Sequence, residues 1–477
     1  LAFYDTFSQA VNSEVRSLAF LSRTKDGFSF NTSADRYQNF ESTTPDDVIT
    51  ILNVPDFDVA STERDIPHTP LKWSFGAAAD GLTRSQPGFN TGTLLGRLDV
   101  APEISLPLLL HGWSLRPDFA LRNTFYSKQL VSSPTTGAAS AVGSAINREA
   151  LEASFEIRPP AVERLFENTY LGRRWKHVIE PVVTYNYVTG VDNFSRILRF
   201  DERDILSDTN EVEYRLINRL FAKRTHPKPE DCTPVGMPGL TVGGIAPQSR
   251  IPWEPLPDAK SAACAPGGQA REIVTWELAQ KYFIDPTFGG ALVPGVRNVF
   301  TTTADLTGIA FLTDQRRLSP LISRLRMQTT DRTDAEWDLD YDIKKGLINA
   351  NTALLNYHTG PFTFAGGGAY LRTPGEYLST ATIATPLRFN QLRLLFGYGH
   401  ANKPGVSFAT NVGVDANLVF LQYAAAQGTY NWDCCGVTLE YRRFSLGSVR
   451  NENQFRFTFA LANVGSFGNL RRQEKLY

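Results

Sequence analysis

Cysteine, methionine and histidine are scarce in this chain, with four, two and six in 477 residues, and no apolar run approaches the roughly 18 residues of a helical membrane span. That absence excludes a helical membrane protein but not a β-barrel, whose strands turn half of their side chains away from lipid. The charge balance of 48 basic against 49 acidic residues lacks the cationic excess of a nucleic-acid binder. His68, His111, His177, His226, His358 and His400 are scattered, and none stands in a metal-ligand or nucleophile spacing. Phosphate loops, dinucleotide fingerprints and zinc patterns are missing as well. The expectation is therefore no enzyme, no metal and no cofactor, although His358 and His400 follow strand ends, where a hydrolase would need a Ser or Asp on the same rim. No charged, apolar, small-residue leader precedes Leu1, which predicts a processed chain or a fragment.

What is abundant favours strands and turns: 31 Phe, 17 Tyr, 7 Trp and 36 Gly. The dominant signal has period two. Leu115, Phe119 and Leu121 alternate with Arg116, Asp118 and Arg122. Ile179, Val183, Tyr185 and Tyr187 alternate with Glu180, Thr184 and Asn186. Val274, Trp276 and Leu278 oppose Thr275, Glu277 and Lys281, and Phe455, Phe457, Phe459 and Leu461 oppose Gln454, Arg456 and Thr458. A soluble sandwich would alternate too. Here the apolar set is aromatic near strand ends and the other set carries charge, the pattern of a barrel with lipid outside and water inside. Arg116, Asp118, Arg122, Glu277 and Arg456 are accordingly the candidate lumen-facing residues.

The fold class expected is all-β, a transmembrane antiparallel barrel. Segments of about ten residues recur at about 23-residue spacing, which counts to roughly 21 strands. Bacterial single-chain barrels have even counts, so the odd number predicts a missing piece on the N-terminal side. Pro117 and Pro181 fall inside strands, where each removes a ladder hydrogen bond that the sequence does not explain. Residues 1–477 read as one barrel portion interrupted by an irregular insertion at 225–270, dense in Pro, Gly and Ala and holding Cys232 and Cys264. The other two cysteines, Cys434 and Cys435, are adjacent in NWDCCGVTLEY and too close to bond each other readily, so each needs another partner.

Adjacent cysteines opening the strand DCCGVTLEYRR, preceded in order by RLDVAPEISLPL, HVIEPVVTYNYV, DERDILSDTNEVEYRLINRLF and REIVTWELAQKYFID, resemble the LPS-assembly family LptD over most of residues 14–465. The resemblance implies an outer-membrane translocon for lipopolysaccharide. It also implies an N-terminal periplasmic jelly roll and first strands that this chain lacks, an LptE-like lipoprotein plugging the barrel, and an LptA-like periplasmic bridge that delivers substrate. Substrate would leave through a lateral seam, with the strand near 453–463 (Gln454, Phe455, Arg456, Phe457, Thr458 and Phe459) as one lip. Counting back from a periplasmic C-terminus places Cys434, Cys435 and the 225–270 insertion on the periplasmic rim. In the family the adjacent cysteines bond upstream cysteines, and this chain has none before Cys232. Two pairings stay open: Cys232 with Cys264, closing a loop for about 3.5 kcal/mol of chain entropy, or both with Cys434 and Cys435, favoured because an oxidising compartment leaves few free thiols. The rival to a translocon is a general porin or a gated outer-membrane transporter, which has no use for the paired cysteines.

Overall fold

Alternation of the kind described above can bury only one face per strand, and the chain answers with one continuous antiparallel meander. The computed structural model describes residues 14–39, 49–86, 88–132, 139–224, 270–286, 316–330, 332–372, 377–378, 382–383, 388–399, 404–417, 419–432, 435–445, 451–461 and 465–468. In chain order the first strands are β1 (Glu14–Lys25), β2 (Phe28–Asn39), β3 (Ile49–Ser61), β4 (Arg64–Asp65), β5 (Lys72–Gln86), β6 (Phe89–Asn90), β7 (Leu95–Ser105), β8 (Leu108–Leu110) and β9 (Trp113–Tyr126). Next come β10 (Gln129–Ser132), β11 (Ala139–Val142), β12 (Ile146–Arg158), β13 (Val162–Tyr170), β14 (Arg173–Thr189), β15 (Thr209–Arg224), β16 (Arg271–Phe283), β17 (Leu321–Thr330), β18 (Thr333–Asp342) and β19 (Leu347–Thr359). The last are β20 (Phe362–Arg372), β21 (Tyr377–Leu378), β22 (Thr382–Ile383), β23 (Arg388–Tyr398), β24 (Gly405–Asp415), β25 (Phe420–Trp432), β26 (Cys435–Ser445), β27 (Asn451–Leu461) and β28 (Gly465–Gly468).

Twenty-four of these form one sheet; β10–β11 and β21–β22 are separate two-stranded hairpins. The count exceeds the 21 read from the sequence because β4, β6, β8, β13 and β28 are short pieces with no alternation of their own to announce them. The segment counted near residue 299 lies outside the described residues, and the one near 376 is only the small β21–β22 hairpin. Among the described residues β1 pairs only with β2 and β28 only with β27, which makes them the two end strands of the described meander. The sequence ended the sheet at a single strand near 453–463; instead β28 follows and pairs with Thr458–Leu461.

The two sheet faces differ as the alternation predicts. On β9, Phe119 and Leu121 are 55% and 63% exposed whereas Thr124 and Tyr126 are fully covered, and on β27 Phe455 is 78% exposed against 5% for Thr458. The exposed rows are the lipid-facing exterior of a barrel, and the covered polar rows are its inner face.

Both strand prolines find positions where the missing N–H matters little. Pro117 stands opposite Leu106, one step past the last β7–β9 pair, Ser105–Asp118, and its carbonyl still accepts from the Leu106 N–H at 3.0 Å. On one edge of β14 the β13 ladder runs to Ile179 and the β12 ladder starts at Val183, so Pro181 occupies the gap between the two.

Candidate functional site: the charged inner face and its inserted loop

The inner face is built from charge that is neutralised locally. Side chains two apart on a strand share a face, and Arg–carboxylate pairs at that spacing recur on several strands: Arg116–Asp118 at 2.9 Å on β9, Arg158–Glu156 at 2.6 Å on β12, Arg215–Glu213 on β15 and Arg442–Glu440 on β26. Cross-strand partners complete the network. Arg122 reaches Glu152 at 2.6 Å and Asp99 at 3.1 Å, Arg116 contacts Glu63, and Lys281 lies 3.0 Å from Glu211 and 3.3 Å from Glu213. Of the lumen-facing candidates, Arg116, Asp118 and Arg122 therefore sit together in one patch. Glu277 is buried 3.9 Å from Arg215, and Arg456, on the far side of the sheet order, donates to Gln454 at 3.0 Å. Two recesses open on this face. One of about 380 Å³ is lined by Glu103, Asp118, Glu152, Glu211, Arg215 and Lys281, and one of about 640 Å³ by Glu156, Arg158, Glu180, Glu213, Arg215 and Arg219.

Over the first recess lies a connection the sequence reading did not single out as structural. Residues 190–208, between β14 and β15, form two 3₁₀ turns, Phe194–Arg196 and Glu202–Ile205, and fold onto the inner face. Ile197, Leu198 and Phe200 pack against Leu82, Leu95, Tyr126 and Ile146 of the wall. Burying each such side chain contributes about 1.5–3 kcal/mol. At the centre is Arg97 of β7, whose side chain is completely buried. Its Nε donates to Asp80 at 2.8 Å, Nη1 to Asp201 and Asp204 at 2.8 Å each, and Nη2 to Asp201 at 2.6 Å. Asp204 also accepts from the Tyr126 hydroxyl and from the Phe200 N–H, both at 2.8 Å. Arg203 contacts Asp58 and lies 3.5 Å from Asp80, and Arg84 donates to the Arg199 carbonyl at 2.8 Å. The loop is thus tied to β3, β5, β7 and β9 at once.

Burial pushes the Asp201 carboxyl up, but the hydrogen bond and charge of Arg97 outweigh it and hold Asp201 below the usual carboxylate range. Asp204 moves the other way, raised by burial against the pull of Arg97. The stability from Asp201 is present above the ordinary carboxylate range and is lost as pH falls through its lowered value. That from Asp204 has the opposite sign, present in acid and lost as pH rises through its raised value.

The loop leaves β14 through Gly190, at φ +101°, where an added Cβ would stand 2.7 Å from the Glu149 carbonyl oxygen. Gly190→Ala adds both backbone strain and a backbone clash. It is expected to cost about 1–3 kcal/mol, read as a lower urea midpoint of the protein folded in detergent micelles.

Of the two rim histidines, His400 lies outside the described residues. His358 Nδ1 lies 3.0 Å from Thr363 Oγ1 and its Nε2 3.7 Å from Asp334, a contact across β18, β19 and β20. Thr363 is buried in the wall, and neither recess is lined by any of the three. No cluster of three or more metal-ligating side chains occurs among the described residues. Cys435 opens β26, while Cys232, Cys264 and Cys434 lie outside the described residues. Eight antiparallel pairings lead from β15 to β25, so Arg224 at the end of β15 and Trp432 at the end of β25 lie at the same end of the sheet.

An antiparallel meander with aromatic, lipid-facing rows outside and paired charge inside defines a transmembrane β-barrel protein of the outer membrane. The model of the LptD family, LPS transport system D, matches residues 1–403, and the chain belongs to that family of outer-membrane lipopolysaccharide-transport proteins. A search among curated proteins found no match. Solved structures similar to this chain include the copper transporter OprC (9% identity, TM-score 0.36, covering 96% of this chain and 75% of that one). Others are the siderophore receptor PirA from Acinetobacter baumannii (9%, 0.38, 96% and 78%) and the ferric enterobactin receptor PfeA in complex with BCV-L6 (8%, 0.40, 96% and 73%).

Proposed function

We propose that this chain is the barrel of a lipopolysaccharide translocon that moves the sugar portion along its inner face and releases the acyl chains sideways into the outer leaflet. The observation that carries the reading is the internally paired inner wall. Arg116, Arg122, Arg158, Arg215 and Arg442 each have a carboxylate partner. Such a wall stays hydrated but offers a phosphorylated sugar few unpaired cations, so the sugar can slide without being trapped. The acyl chains need an exit. An edge in hydrocarbon leaves unpaired backbone groups at several kcal/mol each, so opening is confined to a seam held by few ladder bonds. Gln454, Phe455, Arg456, Phe457, Thr458 and Phe459 of β27 form one lip of that seam, next to the Thr458–Leu461 stretch that pairs with β28. The inserted loop 190–208, an LptE-like lipoprotein and an LptA-like periplasmic bridge complete the path, as plug, partner plug and supplier. The shared end of the 225–270 insertion and the cysteine turn is the periplasmic rim, where Cys232, Cys264, Cys434 and Cys435 form disulfides.

Depletion in cells is expected to abolish newly surfaced lipopolysaccharide, measured by surface labelling. Normal surface lipopolysaccharide together with a steady open conductance of the isolated barrel in planar bilayers would instead identify a general porin or gated transporter.

A further inference from the structure

Two carboxyls face each other in the inner wall beside Arg97. The strand registers align one row across the sheet: Ser33 of β2 opposite Asp56 of β3, Asp56 opposite Asp80 of β5, Asp80 opposite Arg97 of β7, and Arg97 opposite Tyr126 of β9. Asp56 takes its place in that row because β3 is bulged. Both of its ladders skip Val54 and Pro55, so Asn53 and Asp56, three apart, turn to the same side and meet the buried Leu82 and Asp80. Gly81, between those two, makes room for the bulge: a Cβ there would stand 2.5 Å from the Val54 carbonyl oxygen.

Like charges directly opposite destabilise a strand pair, and among the described residues no cation pairs with Asp56. Its Oδ2 accepts from a neutral donor, Ser33 Oγ, at 2.5 Å. Asp56 Oδ1 and Asp80 Oδ1 are both shielded from solvent and accept from no donor, although the two carboxyls lie within hydrogen-bonding reach of each other. The other Asp80 oxygen accepts from Arg97 Nε at 2.8 Å and lies 3.5 Å from Arg203. The surrounding charges are committed elsewhere. Arg97 gives its other contacts to Asp201 and Asp204, Arg203 contacts Asp58, and Asp35 of β2 stands opposite Asn53. Asp56, Asp58, Asp80, Asp201 and Asp204 thus crowd around the guanidiniums of Arg97 and Arg203. Carboxyls that adjoin in this way relieve their repulsion by holding one proton between them, which also gives each bare oxygen a partner. A calcium ion would need about six to eight oxygens, and no group of three metal-ligating side chains occurs among the described residues.

We propose that Asp56 and Asp80 form a proton-binding site in the barrel wall: one proton, carried on Asp56 Oδ1 and donated to Asp80 Oδ1, leaves Asp80 as the single anion that faces Arg97. The proton thereby holds in position a carboxylate on which the anchor of the 190–208 loop depends. When it leaves, two adjoining anions push apart, Asp80 loses its fixed place beside Arg97, and the loop loosens. Stability from the site is present on the acid side and lost as pH rises.

Asp56→Asn mimics the protonated state, since its amide donates to Asp80 Oδ1 while its carbonyl keeps the Ser33 bond. The test uses the full chain folded in detergent micelles as wild type, D56N and D58N, at about pH 5 and about pH 9, between the ordinary ranges of aspartate and lysine. The infrared difference between wild type and D56N is expected to show the carbonyl stretch of a protonated carboxylic acid at the acid end and to lose it at the alkaline end. The difference between wild type and D58N should show no such band. Protease should cut the loop equally fast in wild type and D56N at the acid end, and about tenfold faster in wild type at the alkaline end, the factor for one unit of proton affinity. Comparing the two proteins at one pH cancels the titration of Asp204, which both share. S33A removes a donor that favours the ionised carboxyl, so it should move the loss of the band to higher pH. Absence of the acid-end band, equal cleavage at both ends, no such movement in S33A, or removal of the band by added Ca²⁺ would each overturn the proposal.

Discussion

Replacing Arg97 with Met is expected to undock the 190–208 loop from the inner face. Arg97 is the common partner of Asp80, Asp201 and Asp204, at 2.6–2.8 Å, and is itself without solvent contact, so an apolar side chain of similar length leaves the buried Asp80 and Asp204 carboxylates facing each other beside the part-exposed Asp201. Breaking a buried pair in this way costs about 3–5 kcal/mol, enough to offset the low end of the roughly 4.5–9 kcal/mol that burial of Ile197, Leu198 and Phe200 supplies. The loop should then be cut by protease between Asn193 and Arg203 in micelle-folded protein while the sheet stays intact. Arg97→Lys, which keeps the charge but not the planar fork, should fall between the two. Wild-type resistance in Arg97→Met would show that the apolar contacts alone hold the loop.

A second large effect is expected at Lys281. Its ammonium bridges Glu211 and Glu213, with 4%, 0% and 7% of the respective side chains exposed. Lys281→Met leaves both carboxylates without that cation, at an expected cost of about 3–5 kcal/mol, visible as a lower urea midpoint. Adding Glu211→Gln should restore a large part of the loss, giving a coupling energy of about 1–3 kcal/mol in the double-mutant cycle. Additive losses would mean that Lys281 acts through packing of its stem rather than through its charge.

The two faces of the wall were legible in the sequence because a strand has a period of two and tolerates no ambiguity about which side a residue takes. Phe119 and Leu121 against Arg116 and Arg122, and Trp276 against Glu277 and Lys281, fall on the sides their spacing predicts. The inserted loop was not legible as a structure. Its FDERDILSD run contains Asp201 and Asp204, but their partners Arg97 and Tyr126 lie 78 to 107 positions upstream, on two different strands. Nothing local marks Arg97, which in LGRLDV looks like any other inward arginine. The β13 strand was missed for a similar reason: VERLFENTY does not alternate, and only the overhang of β14 beyond β12 holds it extended.

By itself the chain's alternation determined a β-barrel wall, its lipid side and its wet side, since side-chain direction along a strand is set by the backbone. Which charges become partners, which loop turns inward, and where two aspartates are set opposite each other were decided only by tertiary structure. Those outcomes depend on register between segments far apart in sequence, and register is a property of the assembled sheet rather than of any one strand.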